Sequence, residues 1–364
     1  MIDFTFSEQQ TAAADLAVAV YTDHAEPEQI RAAEGAAEAL NRPLWNALAS
    51  SGLLGIWIGE DAGGAGCGIL ELCAALQVQG RYVVHAPVLP SAVGGMFIDR
   101  FAPAALREQL LPGVVDGTVI IAPALGELGP YLPTAPQATV SVTGDGAEVT
   151  GQKISVPCGE AATHFLVPVR RDDGTVLVGL LAREAPHVTV TPVRTTDRDH
   201  AAHVDMVGAP MVLIGDASSV EWLYQHCVVA ACAVQLGVLE AATKAAAEYT
   251  STRTQFGRPL TYFQTVLKRG ADAYIDTRAV RVTMWYAAWQ LANDMDGAEA
   301  AAIAKWWASE AGHRTAHSTL YLHGGLGNDL TYPVHRYYLW AKQNDAALGG
   351  PTQQLERIGE GLAI

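Results

Sequence analysis

The amino-acid sequence predicts an α+β fold in which a helical region is followed by a β domain and then by a second helical region. Apolar residues recur at three- and four-residue spacing up to about residue 111. The period changes to two between about residues 117 and 215, and the helical period returns from residue 219. The predicted domains are therefore an N-terminal helical domain (1–116), a middle β domain (117–218) and a C-terminal helical bundle (219–364).

The N-terminal helices carry start and stop signals. Ser7, followed by Glu8 and Gln10, predicts a capping box at the start of the stretch FSEQQTAAADLAVAVYTDHA. A second helical stretch, EGAAEALNRPLWNALASSGLLGI, precedes the glycine-rich string GEDAGGAGCG. These glycines depart from the GxGxxG order and follow no evident strand, so they indicate a turn between two helices rather than a phosphate-binding loop.

The middle region is built from short runs that alternate or are rich in β-branched residues, such as ATVSVTGDGAEVTGQKISV and HVTVTPVRTT. The strings GDG and DDG interrupt these runs, and an aspartate followed by glycine is typical of tight hairpin turns. The pattern predicts a small β domain.

The C-terminal region contains several long, alanine-rich helical stretches, including VVAACAVQLGVLEAATKAAAEYT and AEAAAIAKWWASEAGHRTAHSTLYLHG. Long helices with short connections pack side by side in alternating directions. This region is therefore predicted to be an antiparallel helical bundle.

Composition limits the classes of function that the chain can have. The 364 residues are 50% hydrophobic and carry a net charge of −15. This charge argues against a general role in binding nucleic acid or anionic membranes, because both are negatively charged. The start MIDFTFSEQQ has no basic segment followed by an apolar run, and we expect no unbroken apolar stretch of ~18 residues that could span a bilayer. The expected location is the cytoplasm.

The cysteine and histidine patterns predict no metal site. The five cysteines include no CxxC pair, which favours reduced core thiols over a disulfide framework or a zinc site. His313 and His317 share a helix face at i and i+4, but the acidic residue of an HExxH motif is missing. We therefore assign these two histidines to the bundle.

The string STRTQFGRPLTYFQTV, from Ser251 to Val266, resembles the acyl-CoA dehydrogenase family. In that family a long helix leads into Arg-x-x-Phe-Gly, a Pro-Leu turn and a Phe-Gln pair that opens the next helix. The stretches WNALASSGLLGIWIGEDAGGAGCGILELCAAL and YLHGGLGNDLTYPVHRYYLWAK resemble its N-terminal segment and its last bundle helices. The resemblance covers nearly the whole chain and implies N-terminal helices, a middle β barrel and a C-terminal four-helix bundle.

In this family one subunit lends residues to the adenine and pyrophosphate portion of its partner's FAD. A guanidinium suits pyrophosphate oxygens, an aromatic ring packs beside a flat cofactor, and glycine allows close approach of the backbone. Tyr321 stands where the family often has glutamine. The FAD-binding residues that the resemblance implies are Arg253, Gln255, Phe256, Gln264, Tyr321, Gly324 and Gly325.

The other half of the flavin site departs from the family pattern. Family members commonly carry Thr-Glu-Pro and Gly-Ser-Asp elements where this chain reads IIAPALGELGP. They also carry Trp-x-Ile-Thr-Asn where this chain reads ISVPCG, with Ile154 at the tryptophan position and Pro157 and Cys158 at the Thr-Asn positions. The resemblance therefore does not extend to a complete FAD pocket within this chain.

The catalytic glutamate of the family has no counterpart at either of its usual positions. In many members it lies in a Tyr-Glu-Gly-Thr break between the last two helices, where this chain has Gly349. In other members it lies near the start of the first bundle helix, where an ungapped alignment places Cys227. Two nearby carboxylates, Glu221 and Asp345, are the fallback candidates for a displaced base.

The resemblance is strongest to the small, non-catalytic subunit of the heteromeric acyl-CoA dehydrogenases with which actinobacteria shorten steroid side chains. It implies an α2β2 complex with a larger catalytic subunit, a shared FAD, a bulky acyl-CoA substrate that becomes a 2,3-enoyl-CoA, and an electron-transfer flavoprotein-like acceptor. Two alternatives stay open. The first is a homomeric dehydrogenase with a displaced base, and the second is a flavin-free acyl-CoA-binding or scaffold protein.

Overall fold

A computed structural model describes residues 5–129, 134–144 and 146–362, and for Leu362 it describes the backbone only. The chain runs through helices, then strands, then helices, as predicted. The α-helices that come first among the described residues are α1 (Glu8–His24), α2 (Pro27–Glu34), α3 (Arg42–Ser50), α4 (Ile69–Tyr82), α5 (Val88–Phe101) and α6 (Ala104–Val115). The predicted capping box of α1 is present, since the side chains of Ser7 and Gln10 each accept a backbone N–H from the other residue.

Seven strands follow: β1 (Ile121–Pro123), β2 (Thr139–Thr143), β3 (Gly146–Pro157), β4 (His164–Arg170), β5 (Val176–Ala182), β6 (Val188–Arg194) and β7 (His200–Gly215). Neighbouring strands pair in the cyclic order β4-β2-β3-β7-β5-β4, and the pair Thr139–Arg170 closes the ring. The sheet is therefore a barrel, with β1 parallel to β4 and β6 antiparallel to β7.

The hairpin prediction is confirmed where the structure describes it. The DDG string joins β4 to β5, with Arg170 opposite Val176. In the GDG string between β2 and β3, Asp145 lies outside the described residues.

The C-terminal part consists of α7 (Ala217–Thr252), α8 (Gln264–Ala292), α9 (Ala298–His323), α10 (Val334–Ala346) and α11 (Pro351–Leu362), with a short hairpin of β8 (Thr254–Gln255) and β9 (Arg258–Pro259) after α7. α7 is the central helix and packs against α4 from the N-terminal part. The crossing is close enough to require glycine, because a Cβ on Gly237 would lie 1.9 Å from the Gln77 carbonyl oxygen. The predicted domain bounds remain a prediction.

α7 also corrects one expectation from the sequence. By length and composition it is apolar enough to cross a membrane, and 83% of its most apolar 18-residue window is buried inside the protein. Burial against α4, α8 and α9 accounts for this apolar composition, because a helix that is apolar all round needs neighbours on all sides.

The cysteines are all free, and four of the five are buried. This agrees with the prediction of reduced core thiols.

Candidate active site and cofactor surface

The hairpin after α7 presents an aromatic side chain to solvent. Thr254 pairs with Pro259 and Gln255 pairs with Arg258, so Phe256 and Gly257 form a two-residue turn. Both turn residues have positive φ, 54° and 78°, as a type I′ turn requires. Phe256 is 88% exposed. A phenylalanine in this conformation is strained, and its ring gains little from packing within the chain.

The other residues predicted to bind FAD lie at the same end of the bundle. Tyr249, one turn before the end of α7, stacks on His323 at the end of α9, with ring centroids 4.6 Å apart. The Arg269 guanidinium, in the second turn of α8, lies 4.0 Å from the ring centroid of Tyr321. α8 begins at Gln264, and Gly324 ends α9 with φ of +60°. We call the exposed set Arg253, Gln255, Phe256, Gln264, Tyr321, Gly324 and Gly325 the hairpin surface.

The hairpin surface carries positive charge available to an anion. Arg253 is exposed and forms no ion pair with another described residue, and the same is true of Arg258, which lies beside this surface with its guanidinium over the Phe263 ring. A guanidinium with free N–H donors suits phosphate oxygens. A Cβ atom added at Gly324 or Gly325 would meet no neighbouring atom, so the space beside their backbone is open to a ligand.

A cavity of about 440 Å³, here called the central cavity, lies where the N-terminal helices, the barrel and the bundle meet. Its wall is formed by the end of α4 and the following loop, by β1 and β3, by the β6–β7 loop, by α7, and by α10 with the break before α11. It contains both positions at which the resemblance would place a catalytic glutamate, Cys227 and Gly349.

Neither of these two positions supplies a base. Cys227 is 3% exposed, and burial raises the pKa of its thiol well above the ordinary value, so the group stays protonated. Gly349 has φ of +89°, a conformation that favours glycine. The preceding carbonyl, of Leu348, accepts hydrogen bonds from the Tyr224 hydroxyl at 3.0 Å and from Gln354 Nε2 at 3.2 Å, which holds the break in place.

The two fallback carboxylates lie outside the lining of the cavity. Glu221 accepts a hydrogen bond from Arg357 at 2.5 Å, which holds it beside α11. The carboxylate of Asp345 accepts from Lys342 Nζ at 3.2 Å on α10. Both carboxylates are therefore held in ion pairs rather than directed into the cavity.

The positions that contact the flavin ring in the resemblance do line the cavity. Ile154, Pro157 and Cys158 form part of its wall, and burial raises the pKa of the Cys158 thiol. Glu127, also in the wall, accepts a hydrogen bond from the buried Lys153 ammonium at 2.6 Å. The described lining residues include no lysine or arginine. At these positions the lining lacks the tryptophan, threonine and asparagine side chains that the resemblance associates with the flavin ring.

One end of the cavity is polar, and sequence reasoning missed it. His85, Asp197, Asp199 and His200 meet there, and Trp340 stacks on His85 with ring centroids 4.7 Å apart. The string DRDH at 197–200 was the available signal, because it brings two carboxylates and a histidine into one loop and the strand start that follows it.

Comparison with known proteins agrees with the fold. Residues 7–118 match the family model described as acyl-CoA dehydrogenase, N-terminal domain, and residues 222–363 match acyl-CoA dehydrogenase, C-terminal domain. The chain is 36% identical over 375 residues to acyl-CoA dehydrogenase FadE27 of Mycobacterium tuberculosis, covering 100% of this chain and 99% of that protein. The chain belongs to the acyl-CoA dehydrogenase family.

Two solved acyl-CoA dehydrogenase structures are close to this chain. A variant of the Tcur3481-Tcur3483 steroid ACAD has a TM-score of 0.94 and 40% identity, covering 98% of each chain. The ChsE4-ChsE5 complex from Mycobacterium tuberculosis has a TM-score of 0.94 and 37% identity, covering 100% of this chain and 99% of that one. The resemblance to heteromeric steroid acyl-CoA dehydrogenases, first read from the sequence, is confirmed.

Acyl-CoA dehydrogenases are oxidoreductases that use FAD. The two regions of this chain fit that cofactor differently. The hairpin surface offers the unpaired guanidinium of Arg253 and the exposed ring of Phe256, which suit the phosphates and flat rings of the cofactor. The central cavity has Ile154, Pro157 and Cys158 at the positions that contact the flavin ring in the resemblance, so it lacks the side chains that pack against and hydrogen-bond the ring there.

Proposed function

We propose that this chain is the non-catalytic subunit of a heteromeric acyl-CoA dehydrogenase and that its hairpin surface holds the FAD of a catalytic partner. One observation carries the proposal. The exposed hairpin surface has the side chains that suit an anionic, aromatic cofactor. The central cavity has no carboxylate at Cys227 or Gly349, the two positions where the family carries its catalytic base. A chain of this kind completes a site in another subunit.

The reaction needs two groups at the substrate. A base must remove the proton from the carbon next to the thioester, and FAD, when bound, would supply the acceptor for the hydride of the neighbouring carbon. In the proposed complex the catalytic subunit supplies the base and the flavin pocket. Arg253 would neutralise phosphate oxygens and Phe256 would pack beside the cofactor. Gln255 and Gln264 would donate hydrogen bonds, and the Gly324–Gly325 backbone would allow close approach.

The relatives support the class of complex. The related structures are a steroid ACAD named for two components, Tcur3481 and Tcur3483, and a complex of ChsE4 with ChsE5. For this chain we propose an α2β2 assembly that forms a 2,3-enoyl-CoA from a bulky, steroid side-chain-like acyl-CoA and passes electrons to an electron-transfer flavoprotein-like acceptor. We place the complex in the cytoplasm.

Turnover by the reconstituted complex tests the proposal. We expect no dehydrogenation of a steroid side-chain acyl-CoA by the lone chain, and activity when the chain is purified with a catalytic homologue. In that complex the changes Glu221→Gln and Asp345→Asn should leave kcat unchanged, because neither carboxylate reaches the cavity. A hundredfold loss of kcat with either change would instead support a homomeric-type dehydrogenase with a displaced base.

A flavin-free role makes a different prediction for the hairpin surface. If the chain were a scaffold or an acyl-CoA-binding protein, Arg253→Ala would leave the flavin content and the kcat of the complex unchanged. The proposal requires both to fall, because Arg253 would then contact the cofactor.

A further inference from the structure

Tyr321, which stands where the family often has glutamine, holds an arginine of the neighbouring helix. The Arg269 guanidinium, on α8, lies 4.0 Å from the centroid of the Tyr321 ring at the end of α9. A cation at this distance is attracted by the face of an aromatic ring. Tyr321 is 61% exposed, so the contact lies at the surface. The departure from the family pattern therefore brings a stacked arginine to this end of the bundle.

Arg269 has no ionic partner among the described residues. It lines a groove between α8 and α9 in which the neighbouring carboxylates are already paired. Asp272 accepts a hydrogen bond from Lys268 Nζ at 2.5 Å. Asp276 accepts two hydrogen bonds from the Arg314 guanidinium, at 2.8 and 2.9 Å. The charge of Arg269 is therefore left available to a group outside the described chain.

One nitrogen of the Arg269 guanidinium is buried and the other two are open. Nε is buried and has no hydrogen-bond partner among the described residues. Nη1 and Nη2 also form no hydrogen bond with a described residue, but they are not buried, and the side chain lines the groove. Two terminal nitrogens of one guanidinium suit the oxygens of a phosphate, because their N–H donors point in parallel.

The stacked arginine lies beside the hairpin surface. The Tyr321 carbonyl accepts the backbone N–H of Gly324 at the end of α9, so Tyr321 is about one helical turn from the open glycine pair. Arg269 follows Gln264 by five residues, about 7.5 Å along α8. Helical side chains lean toward the N-terminus of their helix, which brings the guanidinium of Arg269 nearer to Gln264. A dinucleotide is longer than one helical turn and can contact all of these groups.

We propose that Arg269 is a further phosphate-binding residue of the hairpin surface and that Tyr321 is the positioning residue that holds its guanidinium. The inference rests on the proposed function, because the ligand is the dinucleotide cofactor of a catalytic partner. Arg269 adds a second cation to Arg253. A guanidinium already held on a ring loses less conformational freedom when it binds a phosphate than a mobile side chain would.

Equilibrium titration of the apo complex with FAD, followed by fluorescence, tests Arg269. Arg269→Met should weaken FAD binding about tenfold, because a charge-assisted hydrogen bond is lost. It should also make the affinity less dependent on ionic strength. Arg278→Met is the control, because Arg278 is exposed on the same helix and forms no ion pair with a described residue, but does not stack on Tyr321. The control should bind FAD as the wild type does.

Variants of Tyr321 test the positioning role. Tyr321→Phe keeps the ring and should keep the FAD affinity, whereas Tyr321→Leu removes the ring and should weaken binding about 2- to 5-fold. In the Arg269→Met background Tyr321→Leu should add little further loss, because the two residues would act as one unit. A fully additive loss would show that Tyr321 does not act through Arg269.

Competition by ADP and adenosine identifies the part of the cofactor that Arg269 contacts. Arg269→Met should weaken the displacement of FAD by ADP and leave displacement by adenosine unchanged, because only ADP carries phosphate. Equal weakening of both competitors would place Arg269 against the base and overturn the proposal. Loss of assembly in Arg269→Met, detected by sedimentation, would show a contact with the partner protein instead and would also overturn it.

The Arg253→Ala variant separates this inference from the proposed function. Wild-type FAD affinity in Arg269→Met, with Arg253→Ala still weakened, would overturn this inference and leave the proposed function standing. Wild-type affinity in both variants would overturn both. The melting temperature of the lone chain checks the folding of each variant. If Arg269→Met fails to fold, the Tyr321→Phe and Tyr321→Leu pair still decides whether the stacked guanidinium serves FAD binding.

Discussion

The hairpin surface and the central cavity differ in how their unusual residues are satisfied. At the hairpin, Phe256 combines positive φ with 88% exposure, and its described ring contact is with Phe263, with ring centroids 6.0 Å apart. At the break before α11, which lines the cavity, the Leu348 carbonyl accepts hydrogen bonds from two side chains. Glu127 in the cavity wall forms an ion pair with Lys153. Contacts within the chain account for most of the cavity wall. The strained and exposed hairpin is instead accounted for by a contact with another molecule.

This difference indicates which residues are selected for contact with a partner subunit. Strain and apolar exposure that bring no stability to the lone chain indicate selection for a contact made elsewhere. Internal ion pairs and satisfied carbonyls indicate selection for folding. Mutations at the two regions should therefore separate into effects on flavin binding and effects on stability.

The largest expected effect is on stability, at a buried ion pair near the cavity. Arg336, 1% exposed on α10, donates from Nε to Glu34 Oε1 at 2.8 Å, and Arg198 donates to the other oxygen of Glu34 at 3.1 Å. These contacts join α2, the β6–β7 loop and α10. Arg336→Met should lower the free energy of unfolding of the lone chain by about 3–5 kcal/mol, measured by urea denaturation.

The control for Arg336 is an ion pair at the surface. Arg42 pairs with Glu38 one turn away, and both side chains are exposed. Arg42→Met should change the free energy of unfolding by less than about 1 kcal/mol. Similar losses in the two variants would show that the ion pair at Glu34 does not stabilise the fold.

The next effect is on flavin binding, at the hairpin surface. Arg253→Ala should weaken FAD binding to the complex about 10- to 100-fold, because a charge-assisted hydrogen bond to phosphate is lost. Equilibrium titration of the apo complex with FAD, followed by fluorescence, measures this. The lone chain should keep its melting temperature. An unchanged FAD affinity together with a lowered melting temperature would reverse the proposed roles of the two regions.

A smaller effect is expected at Phe256, where one substitution distinguishes backbone strain from contact with the cofactor. Phe256→Asn creates an Asn-Gly pair, which suits the two positive φ angles of the turn. The lone chain should gain up to about 1 kcal/mol in unfolding free energy, because asparagine tolerates this conformation better than phenylalanine. The complex should bind FAD more weakly because the ring is lost. Stronger or unchanged FAD binding would show that Phe256 does not contact the cofactor.

The smallest effect is a pH dependence at a buried histidine of α7, His226, which stacks on Trp222. Burial lowers the pKa of His226 to about 4, so the unfolded chain binds its proton at a higher pH than the folded chain. Stability is therefore full above pH 6.5 and falls as the pH drops toward 4. Between pH 7.5 and 6 the loss should be under about 1 kcal/mol. His226→Phe should lose less over the same interval, and an equal loss would contradict this role for His226.

The sequence predicted the order of elements well, because periodicity reports which face of each element is buried. The hairpin surface was also predictable, since its core, Arg253 to Gln264, is contiguous in the sequence. The polar end of the cavity was not, because Gln79, His200 and Trp340 come from distant segments that only the fold brings together. The orientation of Asp345 was equally hidden, since its ion pair with Lys342 turns it away from the cavity.

The length of α7 shows a second limit of sequence reasoning. Its composition suits both a membrane span and a core helix, and only its packing against α4, α8 and α9 decides between them.

The measurement that tests the central claim most directly is the amount of FAD per protein chain. The chain would be purified alone and together with a catalytic homologue, and the released flavin quantified by absorbance. We predict no flavin in the lone chain and about half a flavin per chain in the complex, because one cofactor would be shared by each pair of subunits. A full flavin on the lone chain would mean that the central cavity is an intact cofactor pocket, and would contradict this account.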